Sequence, residues 1–463
     1  MSVDVETSPG DSARTRASSS DGRSFSVRAS AAATIRPGDY VRIIRPDGVD
    51  LLGFVEEVSP QDGSGLVAAG SLIDEGSEVA PMPFTDAAAA PTSPDAVARV
   101  VSGPDPELVV GQLVSTPSVG VGLVPHRLNR HTFWCGQSGS GKTYALGVAL
   151  ERIILRTRLP VVVFDPNSDF VKLHAAREGL DPPVAEALAG RAVRVLRPGE
   201  GPDALRVRFR DMGAHAKAAI LRLDPVVDRG EYNALLRLAP ALQGVDPADI
   251  PPRMREAGGL DGEALAQRVE NLGLLEWQTW AYEHEAATDV IAGRPAATVL
   301  DLGGFHSGDE QLVVALAVLE DLWARREERR PLLLVIDEAH NLCPPEPEGP
   351  LGIAVRDRII QIAAEGRKFG LWLLLSTQRP SKVHRGIVSQ CDNVTVMRMN
   401  SPGDLAELAD LFGFVPRSML AQSARFRQGE ALIAGGFVAM PSIVRVRDRI
   451  TLEGGIDVRV PMP

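Results

Sequence analysis

The chain has 463 residues, 44% hydrophobic and 24% charged, which is ordinary for a water-soluble protein and long enough for two or three domains. A net charge of −11 excludes a globally basic nucleic-acid footprint, and no apolar run approaches the roughly 18 residues a membrane helix needs. Three scattered cysteines, Cys135, Cys343 and Cys391, form no CxxC pair and no disulfide pattern, so a reducing cytoplasm is the expected setting.

In chain order, residues 1–33 are rich in Ser, Ala and Arg without an apolar stretch. They read as a disordered tail rather than a signal peptide. From 34 to about 125 come short strand-like runs: 38–45, 51–58, 65–73, 96–102 and 108–115. They are separated by turn signals, as in a small barrel or sandwich, with 83–95 as a loop. From 126 the texture changes. A strand at 131–136 leads through a Gly/Ser turn into a helix carrying Leu146, Leu150, Ile153 and Ile154, and a buried strand follows at 159–166. That is a βαβ unit. Residues 201–295 are helix-rich and less apolar. Strand texture returns at 296–302, 331–337 and 369–376. The expected fold is α/β, a parallel sheet covered by helices over 126–200 and 296–450. A small barrel or sandwich over 34–125 precedes it, 201–295 form an all-helical insertion, and 451–463 are a C-terminal tail.

Residues 136–143, Gly136-Gln137-Ser138-Gly139-Ser140-Gly141-Lys142-Thr143, fit the phosphate-binding P-loop pattern between a strand and a helix. Small residues let backbone N–H groups wrap phosphates, and the helix start adds its positive end. Lys142 can reach the β- and γ-phosphates of ATP, and the Thr143 hydroxyl can ligate Mg²⁺. Lysine is scarce, five of 49 basic residues, which makes its presence here slightly more telling. The run 332–336 ends in Asp337-Glu338; a carboxylate there can hold the Mg²⁺ shell, and Glu338 can act as general base towards water. Gln378, after the next apolar run, can sense the γ-phosphate or position water; local satisfaction of a loop amide is the alternative. Arg367 can stabilise charge on phosphate in a neighbouring subunit, or simply favour a helix C-terminus. Residues 351–400 hold eight Lys/Arg against three Asp/Glu. Lys382 and Arg385 are candidate nucleic-acid contacts there, with surface solvation the equal alternative.

The DEAH tetrad at 337–340 suggests the two-lobed helicases. Lys142 and Asp337 stand 195 positions apart, however, and no second RecA-like lobe with its arginines follows 380.

Taken together, GQSGSGKT (136–143), VVVFDPNSDF (161–170), VLDLGG (299–304), VIDEAHNLCP (335–344), EGRKFG (365–370) and STQRPSKV (376–383) resemble the HerA family, within the HerA/FtsK group of DNA-translocating ATPases. The resemblance spans about 34–460. It implies an N-terminal β-barrel before a RecA-like core with a helical insertion, and a hexamer with ATP·Mg²⁺ sites between subunits. It further implies Arg367 as a trans-acting arginine and Gln378 as the sensor. It also implies sequence-independent grip on duplex DNA, and a nuclease or other effector partner. Where the family has His-Gly-Glu, this chain has Asn167-Ser168-Asp169. The acid persists as Asp169, one methylene shorter. A secretion or conjugation motor, or a scaffold whose assembly ATP governs, are the competing expectations.

Overall fold

In this computed structural model the described residues are 15–30, 35–61, 65–73, 82–102, 108–240, 245 and 249–455. Strands β1 (Arg16–Ser19), β2 (Ser24–Ser30), β3 (Tyr40–Ile44), β4 (Asp50–Gln61), β5 (Gly65–Ile73) and β6 (Phe84–Pro91) close a barrel in the order β1-β2-β5-β4-β3-β6. Its own small core gathers Phe25, Val27, Ile43, Val55 and Phe84.

Three expectations are corrected here. Residues 16–30 are barrel strands, not tail: Phe25 and Val27 point inward while Ser24 and Arg28 point out, a period of two hidden by a Ser/Ala/Arg composition. Most of the expected loop 83–95 is β6, whose Ala87 is fully buried. The expected strand at 96–102 is instead helix α1 (Pro94–Val101). Ser93 accepts the Ala96 N–H as N-cap, Pro94 occupies the first turn, and Val97 and Val101 bury one helical face.

The second sheet has eleven strands. Its parallel part runs β11 (Val193–Leu196), β12 (Ala297–Asp301), β10 (Val161–Asp165), β13 (Leu332–Ile336), β14 (Leu371–Thr377), β9 (His131–Cys135) and β15 (Cys391–Met397). The strands β9, β10, β12 and β13 are buried at every position, as expected of a parallel sheet covered on both faces. The sheet then turns antiparallel through β16 (Glu430–Gly435), β17 (Ser442–Val446), β7 (Val109–Leu113) and β8 (Gly120–Gly122). Residues 109–122, expected in the barrel domain, thus extend the core sheet. Gly111 permits that pairing, since a Cβ there would stand 2.3 Å from the Arg445 carbonyl oxygen.

Helix α2 (Lys142–Arg156) follows β9, and α3 (Pro182–Ala189) precedes β11. Between β11 and β12 lie α4 (Ala214–Ile220), α5 (Arg229–Leu238), α6 (Ile250–Asn271) and α7 (Ala287–Ala292). Helices α8 (Gly308–Ala324) and α9 (Gly349–Glu365) flank β13 in sequence and pack on each other. Among the described residues, no helix is long and apolar enough to cross a membrane.

Residues 451–455 are not a free tail, while 456–463 lie outside the described residues. Glu151 of α2, fully buried, accepts N–H bonds from Ile450 (3.0 Å) and Thr451 (2.8 Å) and pairs with buried Arg449 at 3.3 Å. The Arg449 guanidinium also stacks near Phe170 and against Gly147, where any Cβ would collide with it. Removing one member of a buried ion pair leaves the other charge uncompensated. Glu151→Ala is therefore expected to cost about 3–5 kcal/mol in chemical denaturation; a loss under about 1 kcal/mol would contradict this docking.

Candidate nucleotide site

Parallel strands point their carboxyl ends to one edge, and open α/β sheets bind ligands there. Three neighbouring strands, β9, β14 and β13, deliver the site in that lateral order. The loop 136–143 leaves β9. Gly139 (φ 71°) and Gly141 (φ 89°) take left-handed conformations that favour glycine. A Cβ on Gly136 would stand 2.7 Å from the Met397 Cβ and 2.8 Å from the Ser140 hydroxyl, so this position too needs glycine. Helix α2 begins at Lys142, and Thr143 sits half-buried in its first turn.

β13 lies two strands from β9, about 10 Å away at the usual spacing. The Lys142 side chain spans that gap. Its ammonium, 3% exposed, donates to Asp337 Oδ1 (2.8 Å) and to Ser376 Oγ on β14 (2.8 Å), and stands 3.2 Å from Glu338 Oε1. Burial pulls the Lys142 pKa down, but the charges of Asp337 and Glu338 outweigh it and hold it above the ordinary value. Ser376 in turn donates to Asp337 Oδ1 (2.6 Å). Among the described residues, Oδ2 of Asp337 is buried and has no hydrogen-bond partner. That is the acceptor a divalent cation would satisfy. Asp165, Asp169 and Asp337 bring ligand oxygens within 4.8 Å of one another.

Glu338 follows Asp337 in a left-handed conformation, φ 43°, unusual for a residue with a side chain and costing about 1–3 kcal/mol. Its carboxylate accepts both the side-chain amide (2.9 Å) and the backbone N–H (3.3 Å) of Gln378. His340 Nδ1 stands 3.3 Å from the same carboxylate and 3.1 Å from the Thr377 hydroxyl. Asp169 sits in the loop after β10. Asp165, at the end of β10, accepts the N–H groups of Asp169 (2.9 Å) and Phe170 (2.8 Å). Burial, then the nearby carboxylates, raise Asp165 to about 7 against hydrogen bonds that lower it; burial and Asp337 raise Asp169 to about 6.

The structure brings Gly136–Thr143, Asp337, Glu338, Gln378 and Asp169 to this edge. Arg367 is elsewhere. It lies just before the amino end of β14, and seven residues of strand put it about 20 Å from the carboxyl edge. There it pairs with Asp392 at 2.6 Å. Lys382 and Arg385 are exposed in the segment that follows β14. Sequence reading missed Ser376, Asp165 and His340. Ser376 and Asp165 carried a legible signal, a polar residue closing an apolar strand run.

A family model described as "Helicase HerA, central domain" matches residues 108–273, beginning beside β7. The chain is 23% identical over 433 residues, 82% of this chain and 77% of the other, to the "DNA double-strand break repair helicase HerA" of Pyrococcus furiosus. It is 28% identical over 76% of its length to "Probable helicase MJ1565" of Methanocaldococcus jannaschii, covering 69% of that protein. Among solved structures, the bacterial conjugative coupling protein TrwBdeltaN70 superposes with a TM-score of 0.50 at 14% identity. That match covers 78% of this chain and 93% of that one, a likeness of fold.

Asp165 and Asp169 hold protons more tightly folded than unfolded, where 3.8 is ordinary. Between about pH 4 and pH 7 the folded state therefore binds the extra protons, so their contribution to stability falls as pH rises. Without divalent ions, Asp165→Asn should gain melting temperature relative to wild type on going from about pH 5 to pH 8. Parallel melting curves for the two proteins would contradict it.

Proposed function

We propose that this chain is a HerA-type P-loop ATPase, an ATP-driven translocase or helicase that acts on duplex DNA as a hexameric ring; the family-model match over 108–273 and the 23% identity to a HerA helicase over 82% of the chain support this reading. The observation that carries the site assignment is the Lys142 ammonium reaching Asp337, Ser376 and Glu338 across one intervening strand. ATP lies along Gly136–Thr143, and its β- and γ-phosphate oxygens take over Lys142 from the carboxylates. Mg²⁺, when bound, neutralises phosphate charge; the Thr143 hydroxyl and the unpartnered Asp337 oxygen are the residues that would hold it.

Glu338 takes the proton from the water whose oxygen attacks the γ-phosphorus, while the bond from that phosphorus to the ADP oxygen breaks. Gln378 holds the Glu338 carboxylate through two N–H groups, so it orients the base. Asp169 lends negative charge beside Asp337. In this proposal Arg367 serves a neighbouring subunit's site; its position at the opposite edge of its own sheet and its 30% exposed side chain support that reading. Lys382 and Arg385 remain candidate contacts to DNA phosphates, which would be sequence-independent and salt-sensitive. A nuclease or other effector docked on the barrel, and a cytoplasmic setting, belong to the same proposal.

The test is the ATPase rate with and without duplex DNA. Strong stimulation, lost in Lys142→Ala, is the expected result; a flat rate with nucleotide-dependent ring formation would favour the scaffold instead. In the same assay, mixing Glu338→Gln with Arg367→Ala subunits should restore activity that neither has alone. No recovery at any ratio would remove Arg367 from the trans role.

A further inference from the structure

The phosphate loop is held from outside its cup by residues far downstream. Arg398, immediately after β15, donates from Nη2 to the Gly139 carbonyl oxygen at 3.0 Å, 259 positions away in sequence. Its own carbonyl accepts the Gln137 N–H at 2.9 Å. Asn400 N–H donates to the Gln137 side chain at 3.2 Å, and Gly429 N–H to the Ser140 carbonyl at 3.0 Å. The peptide joining Gly139 and Ser140 is therefore fixed at both ends: its N–H donates to the Gln137 carbonyl at 3.1 Å and its C=O accepts Arg398. A rotation of that peptide would break both bonds and turn a carbonyl oxygen towards the phosphates.

Two further observations bear on Arg398. Among the described residues it forms no ion pair, and its buried Nε has no hydrogen-bond partner. Gly139 is close enough that a Cβ there would stand 3.7 Å from the same Nη2. An unneutralised guanidinium thus rests on the crest of a loop whose inner side is to receive a polyanion. A charge-assisted bond of this kind is about twice as strong as a neutral one.

We infer that Arg398 is the positioning residue of the phosphate loop: it locks the Gly139 carbonyl outward and contributes its uncompensated positive charge to triphosphate binding. The inference rests on residues 136–143 being the ATP site. It assigns to the end of β15 a part in nucleotide affinity that neither the P-loop pattern nor the acidic pair supplies.

The test compares wild type, Arg398→Ala, Arg398→Lys and Lys142→Ala by calorimetric titration with ATP and ADP. Steady-state ATPase and the melting temperature of nucleotide-free protein accompany it. Arg398→Ala is expected to weaken ATP binding about tenfold, the loss of one charge-assisted hydrogen bond. ADP binding should weaken less, and KM for ATP should rise more than kcat falls. Arg398→Lys, which keeps the charge and a donor, should recover most of the affinity, with nucleotide-free melting temperatures within a few degrees throughout. Wild-type ATP affinity in Arg398→Ala, alongside lost binding in Lys142→Ala, overturns the inference and leaves the ATP site standing. A lowered melting temperature with no recovery in the lysine variant also overturns it, since the role is then structural. If Lys142→Ala binds ATP normally, the site reading fails and the inference with it.

Discussion

One ammonium group ties this site together. Lys142 starts a helix after β9, and the acids it meets end β13, two strands away. Strand spacing makes that gap about 10 Å, and only a long, unbranched, compactly charged side chain running over β14 closes it. Ser376 supplies the intermediate contact, so the three strands converge on a single buried charge. The geometry follows from parallel pairing: had any of the three strands run the other way, its terminal polar residue would lie at the opposite edge.

That same rule separates Arg367 from the chemistry of its own chain. Asp337, Gln378 and the phosphate loop all follow carboxyl ends of strands, whereas Arg367 precedes an amino end. A strand length of separation makes it a group presented outward. In the proposed ring, another copy of the chain receives this arginine at its own site.

The loop 136–143 was legible because glycine and lysine at fixed spacing have few other uses, and the Asp337-Glu338 pair because two acids closing an apolar run stand out. The parallel sheet was legible from uninterrupted apolar runs such as 332–336. The first two barrel strands were not. Their inward positions, Ala17, Phe25 and Val27, are few and set among serines and arginines that suggest disorder. Helix α1 was mistaken for strand because Val97, Val100 and Val101 are β-branched, and the Ser93-Pro94 cap outweighed them. Arg398 and the buried Glu151–Arg449 pair depend on contacts between distant positions, and no local pattern announces them.

The most direct measurement is the structure of the protein crystallised with a nonhydrolysable ATP analogue and Mg²⁺. The account predicts the γ-phosphate within hydrogen-bond reach of the Lys142 ammonium, with Glu338 facing it from the β13 side. Nucleotide density away from 136–143, or Lys142 still held by Asp337 and Ser376 with a triphosphate bound elsewhere, would contradict it.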